Sequence, residues 1–496
     1  MSAVKTQQNA KSQPAATAIR GQRRSRLSGW PAPGSLAAPA ERASYGKSVR
    51  TLVPREEHAA LDRPADRRDP IDLLESQAAT RLPDLVPVRY GRMSASPFAY
   101  FRGAALPMAS DLAGTPVTGL SVQACGDAHL SNFGLFGTPE RRLVFDVNDF
   151  DETLPGPWEW DVKRLAASIE IAARDKQIAS RQRRKIVLGA VMRYREAMRE
   201  FAGQTNLDVW YASLDVDALQ AQVKMTARMR RAVDAGMAKA RSSDSLRALS
   251  KLTREVNGRP QIISDPPLMI PMRDFTPREE EAEGLLGMLR ELLASYRKTL
   301  PADIGELLAR YELADIARKV VGVGSVGSRC WIVLLLAADG SDPLFLQVKE
   351  AERSVLEDFT EHSKLSNHGE RVVHGQRYMQ AASDIFLGWI RVARGIDDRQ
   401  HDYYVRQLRD WKFSFDVAGM PADWLQQYAS YCGWGLARAH AKTGDRFALA
   451  AYLGSSGVFD EAVADFAAGY ADQNERDYAA LLEAIRSRRL PCEAGV

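Results

Sequence analysis

Apolar positions follow two different periods along the chain. Short runs of strand-like character occur at 120–125, 143–147, 319–323, 331–337, 344–349, 385–392 and 402–408. Helical spacing is clearest at 161–173, 181–201, 424–441 and 459–485. Because periods near 2 and 3.6 are typical of strands and helices, the pattern predicts an α+β protein whose later strands form a mostly antiparallel sheet.

The segment between the two groups of strands is predicted to be largely helical. Residues 205–256 have helical character, and helices are expected to continue to about Ala317. The prolines and turn residues at 257–267 predict an extended loop that serves as a lid or as a simple connection. Thr276 is expected to cap the helix that follows this loop.

The composition is that of a globular protein, with 496 residues, 45% hydrophobic and 26% charged. Residues 1–45 lack periodic apolar positions and carry several arginines, which predicts a disordered basic arm; a transit peptide or a nucleic-acid-binding tail is the alternative. The longest apolar run, Trp331 to Ala338, is too short to span a membrane. Scattered cysteines and no secretory signal predict a reduced, cytoplasmic protein with no membrane contact.

The total charge says little about partners, but one segment is strongly basic. A net charge of +4 over this length is too small to imply nucleic-acid binding. Residues 224–254 contain nine Lys or Arg residues against two Asp residues. This bias indicates either a docking surface for an anionic partner or a solvated helix face.

A glycine-rich loop precedes a long strand pair. Gly322, Gly324 and Gly327 form a GxGxxG pattern that also contains Ser325. In dinucleotide-binding proteins this pattern opens a helix, whereas here a strand, an Asp-Gly turn and a second strand ending at Lys349 follow. The pattern therefore predicts a glycine-rich β-hairpin, in which backbone N–H groups and Lys349 contact phosphates; a surface lysine beside a tight bend is the alternative.

The stretch from Gly126 to Asn132 has the spacing of a catalytic loop. Asp127 and Asn132 are five residues apart, so the carboxylate is placed to act on an acceptor hydroxyl while the amide reaches a metal ion. His129 is a candidate catalytic base, metal ligand or loop-stabilising group.

Four further carboxylates follow this loop. Asp149 is the preferred Mg²⁺ ligand, since hard cations favour oxygen donors. Asp146 and Asp151 are alternatives, as ligands or as supports of a ligand. Asp161 is placed at the start of a helix and is expected to hold a nearby loop.

Several stretches resemble known families. Five segments resemble the bacterial family known as domain of unknown function 2252: GDAHLSNFG, LVFDVNDFDETLPGPWEWDVKRLAAS, PVRYGRMSASPFAYFRGAA, LQVKEAERSV and HGERVVHGQRYMQAASDIFLGW. The resemblance covers roughly residues 45 to 480. More distantly, GDAHLSN resembles the HGDxHxxN loop of aminoglycoside phosphotransferases and choline kinases, and NDFDE with WEWDVKRLA resembles their IDFxD…YDLA stretch. The matching positions are Asp127, Asn132, Asp149 and Asp161, while Cys125 departs from the usual His.

The distant resemblance implies a protein-kinase-like, two-lobed fold in circularly permuted order, because the glycine loop follows the catalytic loop. The segments expected on this basis are a large-lobe part at 46–165, a helical insertion at 166–315, a small lobe at 316–410 and C-terminal helices of the large lobe at 411–496. Val405 and Leu408 are expected near the adenine of a nucleotide. The acid that pairs with Lys349 remains open among Glu357, Glu361 and Glu370.

The leading hypothesis is a phosphotransferase that uses ATP and Mg²⁺ to modify a hydroxyl-bearing small molecule. An enzyme that transfers AMP, or a nucleotide-binding protein without turnover, is an alternative on the same fold. A metal-dependent hydrolase that uses Asp127, His129, Asp146 and Asp149 as ligands is a second alternative. A protein that binds RNA or an acidic partner through residues 224–254 is the third.

Overall fold

The computed structural model of the protein describes residues 37–61, 66–217, 227–242, 244–275, 279–395, 397–408 and 411–495. The α-helices are α1 Pro39–Leu52, α2 Pro70–Ala78, α3 Val86–Met93, α4 Pro97–Gly103, α5 Ala105–Leu112, α6 Trp158–Asp175, α7 Ser180–Ala202, α8 Asn206–Tyr211, α9 Ala227–Arg241, α10 Ser245–Leu252, α11 Glu279–Arg297, α12 Ala302–Leu308, α13 His368–Met379, α14 Ala422–Thr443, α15 Arg446–Leu453 and α16 Val458–Arg486. The strands are β1 Ser121–Ala124, β2 Phe133–Gly137, β3 Leu143–Val147, β4 Leu154–Pro157, β5 Leu214–Asp215, β6 Thr253–Val256, β7 Arg259–Ile262, β8 Met269–Pro271, β9 Tyr311–Lys319, β10 Cys330–Ala337, β11 Pro343–Ala351, β12 Gly388–Val392 and β13 His401–Gln407. The α+β class is confirmed.

A helical body contains the largest core. Helix α6 is buried from Trp158 to Ala173, which places it at the centre of this body. Helices α7, α14 and α16 pack around it. The core combines residues from the first half of the chain, such as Val122 and Leu165, with residues from the end, such as Leu436 and Phe466. The four predicted long helices are confirmed as α6, α7, α14 and α16.

The second body is a six-stranded sheet in the order β12-β13-β11-β10-β9-β8. All neighbouring strands are antiparallel, as the sequence predicts. One face packs against α11 and α12, with Tyr296 and Leu308 in its core. The other face packs against α10, with Leu252 in its core. Two small sheets, β1-β4 and β2-β3-β5, belong to the helical body.

The strand predicted at 319–323 is wrong, as is the helix to Ala317. The last helix before the sheet ends at Leu308, and β9 then runs from Tyr311 to Lys319. Its side chains alternate between the two faces, with Ile316 opposite Val333 of β10. Residues 320–329 instead form the connection that carries the glycines.

Two short strands lie where the sequence predicts helix and loop. Strand β6 occupies the end of the predicted helical segment, and β7 lies inside the predicted proline loop. Asn257 and Gly258 both have positive φ, 52° and 74°, which fits a tight hairpin turn. The predicted cap at Thr276 lies outside the described residues.

The predicted N-terminal arm overlaps the first described helix. Helix α1 begins at Pro39, inside the range 1–45, and packs against α15. Residues 1–36 of the predicted arm lie outside the described residues. Across the part of the chain that the structure describes, no helix is both long and apolar enough to cross a membrane.

Candidate functional site

The first component of the site is the GD loop, residues 125–132, which follows β1. Gly126 has φ 83°, and a Cβ atom at this position would lie 2.4 Å from the carbonyl oxygen of Glu152. The N–H groups of Cys125 and Gly126 donate to the Asp161 carboxylate over 2.6 and 2.9 Å. Asp161 lies in the first turn of α6, and its Oδ2 is 3.1 Å from His440 Nε2. The GD loop is therefore fixed to the central helix and touches the segment after β3.

The end of the GD loop meets the acidic loop, residues 148–153, at one end of a strand pair. Phe133, the first residue of β2, pairs with Val147, the last residue of β3. Just beyond this pair, the N–H of Asn148 donates to the carbonyl oxygen of Asn132 over 2.9 Å. Antiparallel pairing thus brings Asn132 within one residue of Asp149.

Asp127 is surrounded by positive charge. Arg164 of α6 donates to its Oδ1 over 2.8 Å, and Oδ2 lies 3.7 Å from His129 Nε2. Burial raises the pKa of the Asp127 carboxyl, although Arg164 opposes this rise. Burial also lowers the pKa of His129, and Arg164 and Arg102 lower it further, so the imidazole is neutral. The Asn132 amide donates to the carbonyl oxygen of Asp127 over 2.8 Å.

The two aspartates of the acidic loop have different surroundings. Asp151 accepts hydrogen bonds from Lys349 Nζ, from Tyr404 Oη at 2.9 Å and from Ser325 Oγ at 3.3 Å. The hydrogen bond assigned to the Asp149 carboxylate comes from the N–H of Asp151, over 3.4 Å. Burial and the neighbouring Asp151 raise the pKa of Asp149. Burial acts against the Asp151 charge, but Lys349 and Tyr404 hold its pKa below the ordinary value.

Lys349 is the sheet's contribution to the site. It lies on β11 between Cys330 of β10 and Tyr404 of β13, and only 3% of it is exposed. Burial disfavours its charge, but Asp149 and Asp151 raise its pKa above the ordinary value. Lys349 is therefore a buried cation, and the alternative of a surface lysine is wrong.

The acid that pairs with Lys349 is Asp151 of the acidic loop. Among the sequence candidates, Glu357 accepts from the N–H of Ser354 and lies near His362. The carboxylate of Glu370 lies 3.9 Å from His374 Nε2.

The glycine loop, residues 320–329, joins β9 to β10 beside Lys349. Gly327 has φ 91°, a conformation that favours glycine. The N-terminal helices hold this loop through backbone carbonyls. Arg92 donates to the Val321 carbonyl over 3.0 Å, and the Leu82 N–H donates to the Gly327 carbonyl over 2.8 Å. The predicted glycine-rich hairpin is present, and its Ser325 reaches the acidic loop.

Several basic residues of the site belong to no motif that is recognisable in the sequence. Arg371 of α13 donates to the carbonyl oxygens of Asp151, Thr153 and Glu352 over 2.6 to 2.8 Å, and so clamps the acidic loop to the end of β11. Burial and the neighbouring Arg406 lower the pKa of Lys412 to about 7, against the effect of Asp149. Arg371 lies in a stretch that resembles the bacterial family, which is the one sequence signal that points to it.

Three predicted site residues are not brought to this cluster. Val405 pairs with Val348, beside Lys349, and its side chain lies in the core against α11. Leu408 packs in the core against α10. Asp146 is a buried residue of β3 that pairs with Arg438 and accepts from the N–H of Ala381. The hydrogen bonds and ion pairs described above link the predicted residues Asp127, His129, Asn132, Asp149, Asp151, Asp161, Ser325 and Lys349 directly or through one neighbour.

Comparisons with known proteins identify one family. Residues 81–484 match the model of a family described as an uncharacterized protein conserved in bacteria, DUF2252. Because the match spans most of the chain, the protein belongs to this family. Neither a search of curated proteins nor a search of solved structures found a match.

Proposed function

We propose that the protein is a phosphotransferase that uses ATP and Mg²⁺ to phosphorylate a hydroxyl group of an unidentified small molecule. One observation carries the proposal: Lys349 and the glycine loop of the sheet meet the acidic loop of the helical body, beside Asp127 and Asn132. Phosphoryl transfer needs this combination of phosphate-binding, metal-binding and proton-accepting groups.

The phosphate side of the site is the face of the sheet that carries Lys349. The Ser325 hydroxyl and the Lys349 ammonium both donate to one carboxylate, that of Asp151. A carboxylate and a phosphate present oxygen atoms of similar spacing to such donors. The same two groups are therefore placed to bind phosphate oxygens of a nucleotide.

The metal side of the site consists of Asn132 and Asp149. Both are oxygen donors, which suits Mg²⁺, and antiparallel pairing holds them at the same end of β2 and β3. Asp149 fits the role better than Asp151, which is already bonded to Lys349 and Tyr404. Bound there, Mg²⁺ would neutralise charge on the phosphates.

Asp127 fits the role of the group that accepts the acceptor's proton. Arg164 fixes its orientation, and burial raises the pKa of its carboxyl, which makes it a better proton acceptor than an exposed aspartate. His129 is neutral beside it and supports the loop through its Nδ1, which accepts from the N–H of Ser131 over 3.2 Å.

A circularly permuted kinase-like fold is part of the proposal. The sheet that carries the glycine loop and Lys349 follows the GD loop in the chain, while the helical body combines residues from both ends of the sequence. After β13 the chain returns to this body, where the N–H of Phe413 donates to the carbonyl of Leu135. This connection corresponds in position to the link between two lobes.

The alternative of a metal-dependent hydrolase has less support. Its four ligands include Asp146, but that carboxylate already accepts from Arg438 and from the N–H of Ala381. Within the described ranges, no group of three or more His, Cys, Asp and Glu side chains is arranged to hold a metal ion. A site with one Asn and one Asp does not require such a group.

Thermal unfolding with ATP and Mg²⁺ tests the proposal. The wild-type protein is expected to gain about 2.7 kcal/mol at a ligand concentration of 100 times Kd. Lys349→Met should lose most of the gain with ATP alone, and Asp149→Asn should lose the additional gain with Mg²⁺. Ligand-induced shifts are compared within each variant, because both substitutions also change the stability of the free protein.

Asp465→Asn is the matched control, because Asp465 forms an exposed ion pair with Arg184 and is 57% exposed. Its ligand-induced shifts should equal those of the wild type. No shift with ATP in the wild-type protein would contradict the proposal. Incubating the protein and a bacterial metabolite extract with ATP labelled at the α or γ phosphate then separates AMP transfer from phosphoryl transfer.

A further inference from the structure

The end of helix α4 lies between the GD loop and the glycine loop. Arg164 bridges Asp127 and the carbonyl oxygen of Phe101, each over 2.8 Å. On the opposite side, a Cβ atom at Gly324 would lie 3.4 Å from the carbonyl oxygen of Arg102. Residue 102 is therefore located between the proposed proton acceptor and the tip of the glycine loop.

The guanidinium of Arg102 has no hydrogen-bond or ion-pair partner in the part of the chain that the structure describes. Its Nε is buried without a hydrogen bond, and no ion pair of Arg102 is found among the described residues. Neighbouring arginines differ, since Arg164, Arg92 and Arg371 each donate to a defined oxygen. Burial lowers the pKa of Arg102, and the charges of Asp127 and Asp149 oppose this. The unpaired guanidinium of Arg102 is therefore near enough to Asp127 and Asp149 to interact with both carboxylates electrostatically.

We propose that Arg102 binds the phosphoryl group that is being transferred. This inference rests on the proposed function. A group that passes from a nucleotide on Lys349 to a hydroxyl on Asp127 must occupy the space between Asp127 and Asp149. Arg102 is close enough to both carboxylates for their charges to act on its guanidinium. A planar guanidinium suits two non-bridging phosphate oxygens, and charge at this position is typical of phosphoryl-transfer sites.

The bonds, electrons and protons of the proposed transfer step balance with the residues of the site. The acceptor oxygen forms a bond to the γ-phosphorus while its proton passes to the Asp127 carboxylate. The bond between the γ-phosphorus and the β–γ bridging oxygen breaks, and ADP keeps the electron pair. Arg102 gives and takes no proton; it neutralises charge on the non-bridging oxygens.

The test compares MgADP with MgADP plus aluminium fluoride, which mimics the phosphoryl group in transfer. Thermal unfolding of the wild-type protein should shift with MgADP and shift further with aluminium fluoride. Arg102→Ala should keep the MgADP shift and lose affinity for the fluoride complex on the order of 10- to 100-fold. Arg102→Lys should recover part of this affinity. Arg193→Ala, which removes an exposed ion pair with Glu200, should match the wild type.

Each outcome bears on one statement. If the wild-type protein does not respond to MgADP, the proposed function fails and Arg102 loses its role with it. Two results in a protein that binds MgADP would overturn the assignment of Arg102. In one, aluminium fluoride increases the thermal shift equally in the wild type and in Arg102→Ala; in the other, it does not increase the shift of the wild type. Loss of the MgADP shift in both Arg102→Ala and Arg102→Lys would place the residue in nucleotide binding instead, and would also overturn it.

Discussion

In the proposed function, Asp151 occupies the place that a nucleotide phosphate requires, so replacing it should have two opposite effects. Its carboxylate accepts from Lys349, from Ser325 at 3.3 Å and from Tyr404 at 2.9 Å. The first two donors are those assigned to phosphate. Asp151→Asn keeps the size of the side chain and removes its charge. We expect lower stability without ligand and a larger response to nucleotide without Mg²⁺.

The loss of stability follows from the burial of Lys349, which is 3% exposed. Removing one partner of a buried ion pair costs about 3–5 kcal/mol, and the remaining charge of Asp149 favours the lower end of this range. At an unfolding entropy of ~2 cal/mol/K per residue, a loss of about 3 kcal/mol in a chain of 496 residues lowers Tm by about 3 °C. Asp465→Asn, an exposed pair, should change the unfolding free energy by less than about 1 kcal/mol.

The assay is thermal unfolding with ADP, first in EDTA and then with excess Mg²⁺. In EDTA, ADP should stabilise Asp151→Asn more than the wild type, because its phosphates no longer compete with a carboxylate for Lys349. With Mg²⁺ the variant should keep the additional shift, because Asp149 holds the metal. An unchanged Tm, or a smaller ADP shift in EDTA than in the wild type, would refute this reasoning.

Three further substitutions test the framework around the site. Gly126→Ala should lower Tm and weaken the nucleotide-induced shift, because its Cβ would lie 2.4 Å from the Glu152 carbonyl at φ 83°; unchanged values would contradict the geometry. Asp146→Ala should lower the unfolding free energy measured in urea by about 3–5 kcal/mol, because Arg438 is left buried without this ion-pair partner. Adding Arg438→Met should recover part of this loss, and purely additive effects of the two substitutions would contradict the importance of the pair. Lys163 Nζ is buried with no hydrogen-bond partner among the described residues, and burial lowers the pKa of Lys163 from 10.5 to about 7. The unfolded chain therefore binds more protons between these pH values, so the wild-type unfolding free energy should rise by up to ~1.4 kcal/mol per pH unit from pH 7 upward, a slope that Lys163→Met should lack.

The parts of the site that the sequence predicts are those with short-range patterns. Asp127 and Asn132 are five residues apart, and Lys349 lies on the second strand after the glycine loop, so their spacing is visible in the chain. The contacts among these groups were a hypothesis that depended on the fold. Arg371 illustrates what spacing does not reveal, because it reaches carbonyl oxygens of residues 151 and 153, more than two hundred positions earlier.

Two of the wrong predictions, at 311–319 and at Val405, also have causes in the local sequence. The strand from Tyr311 to Lys319 has few large apolar residues, so the sequence does not separate it clearly from the helices before it. The register of β13 is not readable from the sequence, so the sequence does not show which face of the sheet carries Val405. Once Lys349 pairs with Tyr404, the next residue must face the opposite side of the sheet.

A crystal structure with Mg²⁺ and a non-hydrolysable ATP analogue tests the central claim most directly. The account predicts phosphates between Ser325 and Lys349 on one side and Asp149 on the other, with Mg²⁺ bound by Asn132 and Asp149 and with Asp151 released from Lys349. A nucleotide bound elsewhere, or a Lys349–Asp151 pair that persists in a nucleotide-bound protein, would contradict it.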